Sequence, residues 1–557
     1  MQDWKRSVVY QIYPKSFYSH ADRATGDLLG IVAKLDYLQW LGVDYLWLTP
    51  FLRSPQRDNG YDISDYYAVD PSCGSMADLE LLIDQAGRRG IRLMMDIVVS
   101  HTSIEHPWFQ SARQSRDSPY RDFYIWRDTP NNWQSKFGGS AWAYDAVTEQ
   151  YYLHLFDHSQ ADLNWDNPRV REEIFRMMRF WRDKGVGGFR LDVINLISKP
   201  RDFPEGKCDG RRFYTDGPLV HEYLQEMNRE VFDGYPLVSV GEMSSTTLEH
   251  CIRYSHPESS ELSMTFNFHH LKVDYPGLQK WVYAEFDFVG LKRILSDWQT
   301  GMQQGGGWNA LFWCNHDQPR VVSRFADDGV YRVQSAKMLG TALHLLQGTP
   351  YIYQGEEIGM TDPGFDDIRQ YRDVETLNIH RLKREAGVPE EEIMAAIRQK
   401  SRDNARTPMH WSAAQNAGFS SAQPWIELAP NYPEVNVEAA LADSDSVLHH
   451  YRRLIALRKA EPLITTGEYR CLLPEHPQVW AYLRVGEGER LLVVNNFFAA
   501  DCEVRLPEDA LPAGSRQRLL ISNYPDCPPR GACLYLRPYE SFVLHLTEGE
   551  VSQQQPG

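Results

Sequence analysis

The sequence predicts an α/β fold: a closed (β/α)8 TIM barrel that carries an inserted subdomain after strand 3 and a C-terminal antiparallel β-domain. Three observations point there. Strand-like and helix-like signals alternate strictly over the first hundred residues, which implies parallel β/α units. Eight apolar strand candidates lie between Val8 and Tyr353, the number that closes such a barrel. From about Thr465 the texture changes to short alternating runs broken by Pro, Gly and acidic residues. An open doubly wound sheet is the competing reading, but nothing here resembles the Gly-rich phosphate loop that fold uses.

VVYQIY (Val8 to Tyr13) reads as a buried first strand, and Ile31, Leu35, Leu38 and Leu41 follow at helical spacing until Gly42, a residue suited to stopping a helix. YLWL (Tyr45 to Leu48) is the second strand. Leu79, Ile83 and Ala86 mark a helix ended by Gly90, and IRLMMDIVV (Ile91 to Val99) is the third strand. The rhythm then breaks. From His101 to about Pro168 the chain is rich in Trp, Tyr, Ser, Asp and Asn, with short apolar pieces such as YYLHLF (Tyr151 to Phe156). So long an excursion reads as an inserted subdomain rather than a structureless loop.

The alternation resumes with a helix near Arg169 to Asp183 and strands GGFRLDV (Gly187 to Val193) and LVSVGE (Leu237 to Glu242). SMTFNF (Ser263 to Phe268), ALFWC (Ala310 to Cys314) and TPYIY (Thr349 to Tyr353) complete the eight. VWAYLRV, RLLVVNNF, CEVRL, RLLIS and CLYLRPYESFVLHL then read as an antiparallel β-domain. The expected organisation is barrel at 1–100 and 169–464, insertion at 101–168, β-domain at 465–547 and a disordered tail, EGEVSQQQPG, at 548–557. There are no internal repeats.

The 557 residues carry 58 Lys and Arg against 75 Asp and Glu, a formal net charge of −17. Such a chain repels nucleic acid and anionic lipid, so neither is an expected partner. With 42% hydrophobic and 24% charged residues, wholesale disorder is excluded too. No run approaches the roughly 18 apolar residues of a membrane span, and the start, MQDWKRSVVYQIYP, lacks the apolar stretch of a signal peptide. Eight cysteines stand singly at 73, 208, 251, 314, 471, 502, 527 and 533, with no Cys-x-x-Cys pair. Reduced thiols in a cytoplasmic protein are the expectation. An anionic ligand would need a local cluster of cations to overcome the global charge.

Active-site groups of such a barrel lie at the C-terminal ends of its strands. Asp58, Tyr61 and Asp62 follow the second strand, and Asp96 and His101 belong to the end of the third. Arg190 and Asp192 on the fourth are two apart and so point to the same side. Glu242 ends the fifth, and His316 and Asp317 in CNHDQPR end the seventh. Any one of these carboxylates could simply cap the next helix; five such clusters at one end of successive strands make a site. Asp192, Glu242 and Asp317 on one mouth would repel one another, and Arg190 is placed to offset that by holding Asp192 ionised. One ionised and one protonated carboxyl is what glycoside hydrolysis requires. The His269–His270 pair has no third ligand at metal-binding spacing, and neither a metal nor a cofactor is expected.

GFRLD, VGEM, NHD, DIVVSH and QADLN (Gln160 to Asn164), in that set, resemble the ordered motifs of the α-amylase family, glycoside hydrolase family 13, and the resemblance covers essentially the whole chain. It implies that Asp192 is the nucleophile, Glu242 the general acid/base and Asp317 a third carboxylate gripping sugar hydroxyls. Arg190, His101 and His316 would support them, and Tyr61 would stack on the sugar. Asp58 would pair with an arginine of SRDNARTPM, Arg402 in preference to Arg406, to close the pocket behind the terminal glucose. A closed pocket implies exo-action on a short substrate, with the α configuration retained. Two departures stand out. Ser100 replaces an Asn that supports the site or a nearby metal in the family. The loop SHADRATGDLLG offers only Asp22 and Asp27, with Arg23 between them, whereas calcium takes six or more oxygens.

Val193, directly after the implied nucleophile, resembles members acting on α-1,6 or α,α-1,1 bonds. SKFGGSAW (Ser135 to Trp142), GRRFYTDGP (Gly210 to Pro218) and SELSMTFNFHHLKVDYPG (Ser260 to Gly277) are similar to the α,α-phosphotrehalase branch, whose members split trehalose 6-phosphate into glucose and glucose 6-phosphate. The implied partner is therefore a small phosphorylated disaccharide. On the barrel rim after the sixth strand, FHHLKVDYPGLQK offers His270, Lys272 and Lys280, and an ammonium meets phosphate well as a point charge. The plain alternative is solvated loop lysines and satisfied histidines. Two rival functions share the resemblance: an oligo-1,6-glucosidase on isomaltose-type sugars, and a non-catalytic barrel like the glycoprotein subunits of amino-acid transporters. The latter resemble this barrel but need a membrane anchor and have lost catalytic carboxylates.

Overall fold

A computed structural model describes residues 4–207, 209–512, 514–526 and 531–547. The tail at 548–557, Cys208 and Cys527 lie outside the described residues. Eight strands form the central sheet: β1 (Val9–Ile12), β2 (Tyr45–Leu48), β3 (Arg92–Ile97), β4 (Gly188–Leu191), β5 (Val238–Glu242), β6 (Met264–Phe266), β7 (Ala310–Leu311) and β8 (Thr349–Tyr353). Their order is β6-β5-β4-β3-β2-β1-β8-β7, every pairing parallel. A parallel bridge between Thr265 and Asn309 joins the two ends and closes the barrel. Parallel strands covered on both faces read as unbroken apolar runs, which is why TPYIY has the same limits in sequence and structure.

ALFWC departs from expectation: only Ala310–Leu311 stay in the ladder. Beyond them Trp313 Nε1 donates to Leu339 O and Cys314 Sγ to Glu356, so the backbone leaves the sheet to bury these side chains behind it. The helix expected around residues 31–41 divides at Lys34 into Leu28–Ala33 and Leu35–Leu41. Asp27 caps the first piece by accepting from Gly30 N, and Gly42 ends the second at φ +99°.

The insertion leaves and returns side by side, because His101–Ser103 pairs antiparallel with Gln160–Asp162. Between them lies a three-stranded antiparallel sheet of Trp126–Arg127, Gln150–Leu153 and Trp142–Asp145. Its core of Trp133, Trp142 and Leu155 also takes in Val193, Leu196 and Tyr214 from the loop after β4. The insertion is thus packed against the segment that follows Asp192. At the C-terminal end, Glu468–Cys471, Val479–Val485, Glu489–Asn496, Ser541–Thr547 and Arg516–Ser522 form one antiparallel sheet in that order. Lys292, on the helix Phe288–Gly305, ties it to the barrel by donating to the carbonyls of Leu473, His476 and Val479. Among the described residues no helix is long and apolar enough to cross a membrane.

Candidate active site

Side chains from the C-terminal strand ends meet in a cleft of about 770 Å³, within the roughly 300–1,000 Å³ of small-molecule pockets. Arg190 organises its floor. Its register partner on β3 is Asp96, whose Oδ1 accepts from Arg190 Nη1 at 2.9 Å. Two residues along, Asp192 Oδ1 accepts from the same nitrogen at 2.7 Å. Glu242 Oε2, from β5, lies 2.7 Å from Nη2. One buried cation therefore serves three buried carboxyls, and it cannot hold all three ionised.

Burial pushes Glu242 up to about 8, Arg190 pulls it down, and the neighbouring charges of Asp192 and Asp317 push it up again. Burial raises Asp192 only to about 6 against the pull of Arg190, and a hydrogen bond with Glu242 favours its ionised form. At neutral pH the pair thus carries its negative charge on Asp192 and its proton on Glu242. Asp317 behaves differently. Burial opposes its ionisation, yet the charges of Arg402, Arg406 and Arg190 hold it well below the usual carboxylate range. Arg406 Nη2 donates to Asp317 Oδ1 at 2.6 Å.

Arg402 is the arginine that meets Asp58, at 3.0 Å, and it is held in turn by Asp373 at 2.6 Å. Gln160 Nε2, from the QADLN motif, completes Asp58 at 3.0 Å. Tyr61 and His101 line the cleft, whereas Arg190, His316 and Arg406 stand behind its lining. His316 stacks on Tyr61 at 5.3 Å with 6° between the rings, and its Nε2 lies 2.7 Å from the Tyr61 hydroxyl. Burial lowers His316 to about 3 and His101 to about 4, so both are neutral.

The three expected phosphate ligands fare unequally. Lys272 lines the cleft, with Ser245 Oγ 3.5 Å from its Nζ. Lys280 lines it too, but its charge is offset by Glu375 at 2.7 Å. His270 is a correction: it is buried, its Nε2 lies 2.9 Å from Phe312 O, and burial lowers it to about 4. A neutral, inward-facing imidazole offers an anion no charge. Three unexpected cations stand in the same cleft: Lys136 from SKFGGSAW, and Arg211 and Arg212 from GRRFYTDGP. Both segments are distinctive in the sequence, and each carries its cations in plain view. Lys136 Nζ donates to Ser244 Oγ at 2.8 Å. Burial first, then Arg211 and Lys272, lower Lys136 to about 7. The cleft lining therefore includes five basic side chains (Lys136, Arg211, Arg212, Lys272, Lys280) beyond Arg402, with Asp209 and Glu375 as carboxylates besides Asp58, Asp192, Glu242 and Asp317. So crowded a set of like charges marks a functional site.

Among the described residues no group of three or more His, Cys, Asp or Glu is arranged to hold a metal. Asp27 of SHADRATGDLLG accepts instead from the backbone amides of His20, Ala21 and Gly30. Ser100 Oγ meets His101 Nδ1 at 2.9 Å, and Asp162 of QADLN is paired with Lys199.

Residues 11–467 match the family described as "Alpha amylase, catalytic domain", and residues 469–543 match "Maltogenic Amylase, C-terminal domain". The trehalose-6-phosphate hydrolase of Bacillus subtilis (strain 168) is 57% identical over 553 residues, covering 98% of each chain. An oligo-1,6-glucosidase of Parageobacillus thermoglucosidasius is 50% identical over 557 residues, covering 98% of this chain and 99% of its own. The solved structure of Bacillus licheniformis trehalose-6-phosphate hydrolase superposes with a TM-score of 0.94 at 57% identity, over 98% of this chain and 100% of its own.

Proposed function

The chain belongs to the α-amylase family of glycoside hydrolases, and on that premise we propose that it is a retaining, exo-acting hydrolase of trehalose 6-phosphate, releasing glucose and glucose 6-phosphate. The observation that carries the substrate is the polarity of the cleft. Asp58, Asp192, Glu242 and Asp317 are charge neighbours of one another, Lys136, Arg211 and Lys272 are charge neighbours of one another, and Arg212 lines the same cleft. A phosphate is repelled by the first group and held by the second. The unphosphorylated glucose therefore enters the acidic end, and the phosphorylated ring is the leaving group.

The chemistry follows from the protonation states. Ionised Asp192 attacks the anomeric carbon while Glu242 gives its proton to the bridging oxygen, breaking the glycosidic bond and freeing glucose 6-phosphate. Water then gives a proton to Glu242 as its oxygen attacks the same carbon, releasing Asp192 and glucose with retained configuration. Supporting direct attack, the two carboxyls share one guanidinium. Inverting enzymes hold theirs roughly 6.5–9.5 Å apart to admit a water. Asp317 and the Asp58–Arg402 pair would hold the glucose hydroxyls, with Tyr61 against its ring.

The labour divides among the three parts of the chain. The barrel, 1–100 and 169–464, supplies the carboxylates; the insertion, 101–168, supplies Lys136; and the β-domain, 465–547, buttresses the barrel. A cytoplasmic location belongs to the same reading, because Cys73, Cys251, Cys314, Cys471, Cys502 and Cys533 are free and free thiols suit a reducing compartment.

An oligo-1,6-glucosidase uses the same carboxylates but has no need of the cations. Release of glucose from trehalose 6-phosphate, trehalose and isomaltose at equal concentration separates the two. Trehalose 6-phosphate is expected to be cleaved at least about 100-fold more efficiently, since charge-assisted hydrogen bonds contribute about 1.5–3 kcal/mol each. Equal rates on isomaltose would overturn the phosphate reading.

A further inference from the structure

The β4–β5 ladder ends at the pair Leu191–Gly241. Asp192 and Glu242, the next residues on each strand, thus stand just beyond the last backbone rung. Immediately after Asp192, Val193 takes φ +36° and ψ 42°, a left-handed backbone that is a true outlier for a β-branched side chain. Such strain persists only where the surroundings over-determine it. In this conformation Val193 N donates to Glu242 Oε2 at 3.1 Å.

Asn195 supplies the constraint. It is fully buried, and its carboxamide spans the gap between the two strand tips. Its Oδ1 accepts from Ser244 N at 2.9 Å, and its Nδ2 donates to Ser244 O at 3.1 Å. This is the two-point contact that a strand makes with its neighbour, made by a side chain where the strands no longer pair. Nδ2 also donates to Asp216 Oδ1 at 3.0 Å, and the Asn195 carbonyl accepts from Asp216 N at 2.9 Å. Asp216 belongs to the GRRFYTDGP segment that bears Arg211 and Arg212. Ser244 in turn receives Lys136 at its hydroxyl. One amide therefore joins the loops carrying Asp192, Glu242 and the cations.

We propose that Asn195 is a positioning residue that sets the alignment of Asp192 with Glu242, by replacing the missing rung and pinning the strained turn that aims Val193 N–H at Glu242. This rests on the catalytic roles proposed above. A backbone N–H on the carboxylate favours its ionised form, so loosening the turn also shifts the titration of Glu242 upward. Arg190, Asp192, Asp317 and Lys136, the other charged groups facing Glu242, are left in place.

The test is kinetics of the full chain on trehalose 6-phosphate and on a neutral aryl α-glucoside. Asn195→Ala is expected to lower kcat about 10–100-fold on both, with KM changed less than about 3-fold, because misalignment removes transition-state rather than ground-state binding. The basic limb of kcat/KM against pH should move to higher pH. Asn195→Asp sets two carboxylates against each other and should be no better than Asn195→Ala. Adding Asp216→Asn to it restores that hydrogen bond with reversed polarity and keeps an acceptor for Ser244 N, but leaves Ser244 O without its donor, so kcat should recover in part. An Asn195→Ala enzyme with unchanged kcat and an unmoved basic limb overturns the inference, as does a loss seen only in thermal stability with no recovery in the double variant. Wild-type enzyme that cleaves the aryl glucoside but not trehalose 6-phosphate would sink the substrate reading while leaving this one standing.

Discussion

Asp192 and Glu242 grip the two ends of one guanidinium, and their separation in protonation is a consequence of arithmetic among charges. Arg190 offsets Asp96 and Asp192 only in part, so the buried carboxyl that also faces the charges of Asp192 and Asp317 keeps its proton. Burial and the neighbouring charges raise Asp192 to about 6 and Glu242 to about 8. On a neutral aryl α-glucoside, kcat/KM should therefore be bell-shaped. Activity falls below about 6 as Asp192 takes up a proton, and falls above about 8 as Glu242 loses one. Glu242→Gln removes the donor, which general-acid contributions put at about 10²–10⁴-fold in rate on substrates needing protonation. It should abolish the basic limb and leave the acid limb, because a protonated Glu242 was already neutral. A basic limb that survives in Glu242→Gln would assign the proton to another group.

The insertion matters to this cleft through one amine, Lys136, which burial, Arg211 and Lys272 lower to about 7 and which a bound phosphate would favour in its protonated form. Lys136 sits on a turn whose neighbours Trp133 and Trp142 pack against Leu196 and Tyr214, so the packing of the subdomain fixes where the cation stands. Lys136→Ala is expected to raise KM for trehalose 6-phosphate by about 10-fold or more while sparing the aryl glucoside. Lys280→Ala should do much less, because Glu375 already occupies Lys280. Equal losses on both substrates for Lys136→Ala would make Lys136 a structural residue. This contrast also marks what can be read without coordinates. The carboxylates are legible because a strand end declares its own direction, and the alternation of strands and helices declares the barrel. Lys136, Arg211 and Arg212 lie in segments whose direction is set by tertiary packing, so their composition is visible but their destination is not. His270 misleads for a related reason: the single turn His269–Lys272 sends neighbouring side chains to different sides, one into the core and one into the cleft. Asn195 gives no local signal at all, since its partners, Ser244 and Asp216, come from other loops.

Taken as one body, the protein sets a net charge of −17 against a small positive region that must attract an anion. Distance decides which field the substrate feels. A compact chain of this length has a radius of gyration of roughly 24 Å, whereas the screening length at 0.1 M salt is about 10 Å. Most surface carboxylates are therefore already screened from the cleft at moderate ionic strength, while Lys136, Arg211, Arg212, Lys272 and Lys280 in its lining act at contact range. Further salt weakens the local attraction and leaves little distant repulsion to relieve. Raising the salt from about 0.05 to 0.5 M, where the screening length falls below 10 Å, should thus raise KM for trehalose 6-phosphate several-fold. KM for a neutral aryl α-glucoside should stay flat, which separates screening from any effect on the fold. A KM for the phosphorylated sugar that falls with salt would mean that the acidic surface governs the encounter, and the cation cluster would lose its role in selecting the substrate.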